Sequence, residues 1–186
     1  MGVGETTISG HFPWRGRRPA CYVWYLGKID PSGMQIRLLE PSDIPAVARL
    51  LRELAREFIV HESPAAGAST FLRENDEEGI RGYLARGFVY HVAVEDGRMA
   101  GFIAVRDRNH IFHLFVGLCW QRQGLARRLW ETARAAALDG GVDTGFTVNA
   151  SNHAVPVYET FGFVRTAPMQ CVKGVYFNPM RLAPES

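Results

Sequence analysis

The run Gln121-Arg122-Gln123-Gly124-Leu125-Ala126-Arg127 has residue types and spacing suited to holding an anion. Ahead of it, His110 to Val116 is a compact series of β-branched and aromatic residues, which reads as a buried strand. Behind it, Leu125, Leu129, Ala133 and Ala136 fall at helical spacing. The run therefore lies on the opening turn of a helix, where backbone N–H groups lack intrahelical partners and the helix dipole adds positive charge. A phosphate fits such an end. Gly124 lets the main chain approach a ligand closely, Ala126 keeps the next turn thin, and Arg122, Arg127 and Arg128 add charge. The expected ligand group is a phosphate or pyrophosphate held mainly by main chain. No Gly-Lys-Ser/Thr follows, so this is not a Walker-type loop, and a single glycine does not make the dinucleotide fingerprint.

The elements around this run must position it. Gln35 to Leu39 reads as a first strand, and Pro41-Ser42-Asp43 as a turn and helix cap. Ile44, Val47, Leu51, Leu54 and Phe58 form the apolar stripe of a helix ending near Val60. His61 to Thr70 reads as a loop, and Asp76 to Ala85 as a weaker helix interrupted by Gly79 and Gly82. Asp96-Gly97, between the apolar runs Phe88 to Glu95 and Arg98 to Arg106, is a strong hairpin signal. Asp107-Arg108-Asn109 turns the chain into the His110 strand, so three antiparallel strands feed the anion-binding helix. That helix ends at Gly140-Gly141. Gly145 to Asn149 is the next strand. Ser151 or Asn152 then caps a short helix with the apolar face Ala154, Val157, Tyr158 and Phe161, Pro156 in its first turn and Gly162 at its end.

Two ordered motifs in this layout resemble the GNAT superfamily of acyl-CoA N-acyltransferases. Gln121, Gly124 and Ala126 match its Q/R-x-x-G-x-G/A acyl-CoA signature between strand and helix. Ala154, Tyr158, Gly162 and Phe163 match in register its closing segment N-x-x-A-x-x-x-Y-x-x-x-G-F, with Asn152 one place beyond the position of its asparagine. The resemblance covers Met34 to about Leu182, with Lys173 to Met180 as the last strand. It implies an α/β fold whose central mixed, mostly antiparallel sheet is flanked by helices, with a splayed parallel strand pair that binds CoA.

The same resemblance implies roles. Acetyl-CoA is the expected cosubstrate, its phosphates on amides from Arg122 to Arg127 and its pantetheine beside Leu114, Phe115 and Val116. Gln121, Gln123, Leu125 and Asn152 complete the expected binding set. A strand amide is expected to stabilise the thioester oxyanion. Tyr158 occupies the position of the acid that protonates the departing thiolate. His110 falls where some relatives carry a catalytic glutamate, and a histidine titrates in a useful range. His113 is the second candidate base. In a regular strand it faces the other way, and a bulge would exchange their exposure. Cys119 invites a ping-pong route through an acyl-enzyme, yet no activating partner is specified beside bulky Trp120, so direct transfer in a ternary complex is expected. The loop from His61 and the acidic run Glu74 to Glu78 would overhang the acceptor and could meet a cation. The acceptor is then a primary amine of a small molecule or a protein. The alternative is a non-catalytic acyl-CoA sensor, which need not keep an acid at Tyr158.

Composition bounds these readings. The chain has 186 residues, enough for one domain with a substantial core. Its 47% hydrophobic and 22% charged content is that of an ordinary globular protein, and a net charge of +2 invokes neither nucleic acid nor membrane. Cys21, Cys119 and Cys171 are too few and scattered for a disulfide framework or metal site, which points to the reducing cytoplasm. Residues 1–33 differ from the rest, being rich in Gly, Pro and aromatics, with a basic knot at Arg15 to Arg18. They read as a gene-start artefact before Met34, or as an arm that packs on the domain or on a second copy in a homodimer.

Overall fold

The computed structural model describes residues 33–59, 64–142 and 144–184, all within one compact unit, Pro31–Ser186. The leader ahead of Gly33, and His61 and Glu62, lie outside the described residues. Strand β1 (Met34–Leu38) runs into a 3-10 turn at Pro41–Asp43 and helix α1 (Ile44–Phe58). Helices α2 (Ala65–Glu74) and α3 (Glu77–Ala85) follow, then β2 (Val89–Glu95), β3 (Arg98–Arg106) and β4 (His110–Val116). Helix α4 (Leu125–Asp139), β5 (Phe146–Ala150) and the short α5 (Val155–Thr160) come next, and β6 (Val164–Arg165), β7 (Gln170–Val172) and β8 (Val175–Leu182) close the chain.

The strands form one mixed sheet in the order β1-β2-β3-β4-β5-β8-β6, with β7 paired to β8. All pairings are antiparallel except β4–β5. The parallel pair is short: only His110↔Thr147 and Ile111↔Val148 are in register before the strands diverge. Past Ile111, no described strand pairs with the edge of β4 that faces β5.

Each face of the sheet carries its own core. On one, α1 buries Ile44, Val47, Leu51 and Leu54 with Ile80 of α3 against Val92 and Phe102. On the other, α4 buries Leu125, Leu129, Trp130 and Ala133 against Ile103, Ile111, Phe146 and Val148. The predicted α4 stripe fails at its last member, since Ala136 is exposed and the partly buried Ala137 packs in its place.

Several local features differ from the sequence reading. The predicted loop His61 to Thr70 holds the start of α2. Asp43 stands at the N-cap of α1 as expected, but its side chain bonds no α1 amide; it takes a bidentate hydrogen bond from Arg37 (2.6 and 3.0 Å) and one from the Glu40 amide (2.8 Å). The short helix α5 begins only at Val155, without a side-chain cap, and Val157 on its expected apolar face is exposed. The last strand is preceded by β7, the two joined by a tight turn at Lys173-Gly174.

A cavity in the wedge between β4 and β5

Where β4 and β5 part, a cavity of about 760 Å³ opens. It is lined by Leu125 and Tyr158, which belong to the α4 core, and by Leu54, Phe58 and Phe71, which belong to the α1 core. The cavity thus communicates with both faces of the sheet, as a gap between two strands must.

The opening turn of α4 stands at one end. The first amide with an intrahelical acceptor is that of Arg128, bonded to Gly124 O at 3.1 Å, so the amides before it point out of the helix end. Gly124 caps the helix at φ 80°, a left-handed conformation, with no side-chain cap over the amides. A Cβ there would meet nothing within 4 Å, so the space in front of the turn is open. Arg122 also has positive φ (60°) and is exposed. An open helix end with this backbone fits an anion.

Side chains of the same run hold the turn rather than fill it. Gln121 Nε2 donates to Val116 O (2.9 Å), and Gln123 Nε2 donates to Cys119 O (2.8 Å). Arg127 donates to Thr160 O at 2.9 Å and lies 5.1 Å over the Phe161 ring, tying α4 to the end of α5. Beneath the turn, the buried Glu95 carboxylate accepts from Trp120 Nε1 at 2.7 Å, an anchor with no motif to announce it. Leu114, Phe115, Val116, Gln121, Arg122, Gly124, Leu125, Ala126 and Arg127 all line the cavity, whereas Gln123 and Asn152 do not. Asn152 is instead held by Asn178, whose Nδ2 donates to its Oδ1 at 2.9 Å, because the buried Asn178 amide needs an acceptor.

Tyr158 is 4% exposed, packed edge-on against Phe161 and Phe163, and reaches the cavity wall. Burial raises its pKa, so the phenol keeps its proton across the neutral range. No described residue hydrogen-bonds its hydroxyl.

The two histidines do not face opposite ways. Ala104 pairs with His113 and Val105 with Ile111, so Phe112 is an extra residue in β4. This bulge turns His113 onto the α1 face, where regular alternation from Ile111 also puts His110. His113 is then sealed among Tyr83, Tyr90, Phe102, Phe112 and Phe115. Its Nδ1 lies 3.3 Å from the Tyr90 hydroxyl, its Nε2 has no partner, and burial lowers its pKa to about 3. His110 is only half-buried. Its Nδ1 is 2.8 Å from Thr147 Oγ1 across the parallel pair, and burial, helped by Arg106, lowers its pKa to about 4.

Cys119 does not line the cavity. Three carboxylates of the acidic run have partners of their own. Glu74 pairs with Lys173 (2.9 Å), Asp76 accepts from the Gly79 amide (2.9 Å) to cap α3, and Glu77 pairs with Arg81 (3.1 Å). Lining residues that the sequence did not single out include Arg106, Asn149, His153 and Tyr176. The His153 ring stacks on Phe58 at 4.2 Å and so closes the cavity between α1 and the loop after β5. Spacing along the chain carries no signal for such partners, which meet only through the sheet.

A family model described as an acetyltransferase (GNAT) domain matches residues 57–184, more than half of the chain. Among solved structures, the chain is similar to a GCN5-related N-acetyltransferase from Rhodopseudomonas palustris, with TM-score 0.68 and 21% identity over 84% of this chain and 99% of that one. It is similar to the PaiA N-acetyltransferase from Thermoplasma acidophilum in complex with coenzyme A (TM-score 0.65, 14% identity, 79% of this chain and 97% of that one). The ribosomal-protein-S18-alanine N-acetyltransferase from Escherichia coli gives TM-score 0.59 and 23% identity over 82% and 95%. No curated protein sequence matches the chain.

Proposed function

The chain belongs to the GNAT acetyltransferase family, and on that premise we propose that it transfers the acetyl group of acetyl-CoA directly to a primary amine within one ternary complex. The wedge between β4 and β5, with the open end of α4 at its mouth and Tyr158 in its wall, carries this reading. Acetyl-CoA, when bound, supplies an acyl group activated as a thioester. The amides of Arg122 to Arg127 bind its phosphates, and the Arg122 guanidinium adds charge. The free edge of β4 at Leu114 and Phe115 takes the extended pantetheine as a further strand would be taken. Val116 O is already occupied by Gln121.

Protons move at two atoms. Tyr158 Oη, kept protonated by burial, donates to the departing sulfur. His110 Nε2 receives the amine proton while Thr147 holds Nδ1, and its low basicity makes it a relay to water rather than a store. His113 also borders the cavity, but it is 4% exposed and packed among aromatic rings, which favours a structural role. That Cys119 is not among the described lining residues supports direct transfer over an acyl-enzyme. A cytoplasmic setting remains the compartment that the scattered cysteines favour.

The test is release of free thiol from acetyl-CoA with a panel of primary amines, together with calorimetry of acetyl-CoA binding. Gly124→Glu should abolish binding by placing bulk and negative charge at the helix end, while Gly124→Ala separates out the cost of a side chain at φ 80°. Unchanged affinity in Gly124→Glu would remove the phosphate site from α4. Binding without transfer to any amine would leave a sensor.

A further inference from the structure

We infer that the acceptor is a monoamine on an apolar, ring-sized body, carrying no second positive charge; this rests on the acetyl-transfer reading above. Away from α4, the cavity is walled by Leu54 and Phe58 of α1, Phe71 of α2, Phe112 of β4, and Tyr176 and Phe177 of β8. Such a wall binds rings and aliphatic chains by removing them from water. Among the described residues, no aspartate or glutamate lines the cavity.

The charged residues that do line it are Arg106, beside the apolar wall, and Arg122 and Arg127, at the α4 end where the phosphates are placed. His110 and His113, lowered by burial, add no charge at neutral pH. Glu74, Asp76 and Glu77 are committed to Lys173, the Gly79 amide and Arg81. A polyamine in this chamber would have to desolvate a second ammonium with no carboxylate among the described lining residues to pair with it. A monoamine gains from the same surroundings. Apolar walls disfavour the ammonium, so its pKa falls and the neutral nucleophile is populated without a strong base. Arg106 sharpens the choice. Its guanidinium lies 5.6 Å over the Phe112 ring, and its Nε, 3.6 Å from the exposed Asp107 carboxylate, has no hydrogen-bond acceptor. An anionic substituent on the acceptor would find a donor there that a second cation would not. The volume of about 760 Å³ must also admit the end of the thioester arm, which leaves room for one or two rings.

Two readouts separate this inference from the acetyl-transfer reading. Thiol release is compared for phenethylamine, tryptamine and spermidine, and the same amines are titrated calorimetrically into protein saturated with CoA, where no chemistry is needed. The two aromatic amines should exceed spermidine at least tenfold in kcat/KM and in affinity. Phe71→Asp, which adds a carboxylate to the wall, should narrow that gap, and Phe71→Leu should preserve it. Spermidine equal to or better than the aromatic amines in either readout would overturn the inference and leave acetyl transfer standing. No binding of either aromatic amine would also overturn it. Aromatic amines that bind CoA-loaded protein without ever being acetylated would instead uphold the ligand class and overturn the transfer.

Discussion

Burial acts in opposite chemical senses on the two cavity groups that can move protons. It makes Tyr158 hold its proton and His110 shed one, and titratable groups pushed apart in this way divide into acid and base. Tyr158→Phe deletes only the hydroxyl. On the proposed role as the acid, that group acts in the transition state, so turnover should fall about ten- to a thousandfold while acetyl-CoA affinity stays put. Normal turnover would make Tyr158 a packing residue, and lost binding would make its hydroxyl a cosubstrate contact. His113 has a different consequence. Its pKa falls from 6.5 to about 3 on folding, so below pH 6.5 the unfolded chain takes up a proton that the fold does not. Stability is full above that pH and is lost on acidification, by on the order of 3 kcal/mol at pH 4 for this residue alone. His113→Phe should flatten this limb in urea midpoints measured from pH 7 to 4. An identical slope in wild type and variant would trace the acid sensitivity to other groups.

Between elements, the contact of α2 with the β7–β8 turn sets one wall of the chamber. A Cβ on Gly67 would come within 2.4 Å of Gly174 O, so both glycines are needed for the helix to lie on the turn. Gly67→Val should separate them, costing about 1–3 kcal/mol as an overpacked contact does, and should raise KM for the amine without changing acetyl-CoA affinity. A thermal melt and a KM series on that variant decide the matter, and an unaltered amine KM would detach α2 from the acceptor side. This contact also explains what the sequence concealed. The segment before Phe71 carries Gly67 mid-helix and follows Pro64, so local propensity argues for a loop until Gly174 is placed against it. The turn Lys173-Gly174 has positive φ at both residues (51° and 78°), like Asp96-Gly97 (49° and 73°). Only the second was legible, because aspartate advertises that conformation and lysine does not. The β4 bulge escaped for a related reason: its extra residue, Phe112, suits a regular strand equally well. What was legible was periodic or covalently local: the stripes of α1 and α4, the Asp-Gly hairpin, the helix-opening glycine, and the register of Tyr158.

At the scale of the whole molecule, every described residue of the site lies between Leu54 and Phe177. β1 is zipped to β2 from Met34↔Glu95 to Leu38↔His91, the first strand among the described residues. The two cores as described draw on residues from Met34 to Leu182. Nearly the whole of the Rhodopseudomonas relative is matched by little more than four-fifths of this chain, so a fold of this kind is complete without a leader of such length. Residues 1–33 are therefore expected to be dispensable for binding and turnover. A chain beginning at Met34 should melt within a few degrees of the full-length protein, bind acetyl-CoA with the same affinity by calorimetry, and acetylate the same amines at the same rate. Size-exclusion chromatography of both forms supplies the decisive contrast. Equal elution with equal activity assigns residues 1–33 no part in the site. A shift in oligomeric state or a loss of solubility on deletion would make them an arm that packs on the domain or on a second copy, and that arm would then belong in any account of how the cavity is covered.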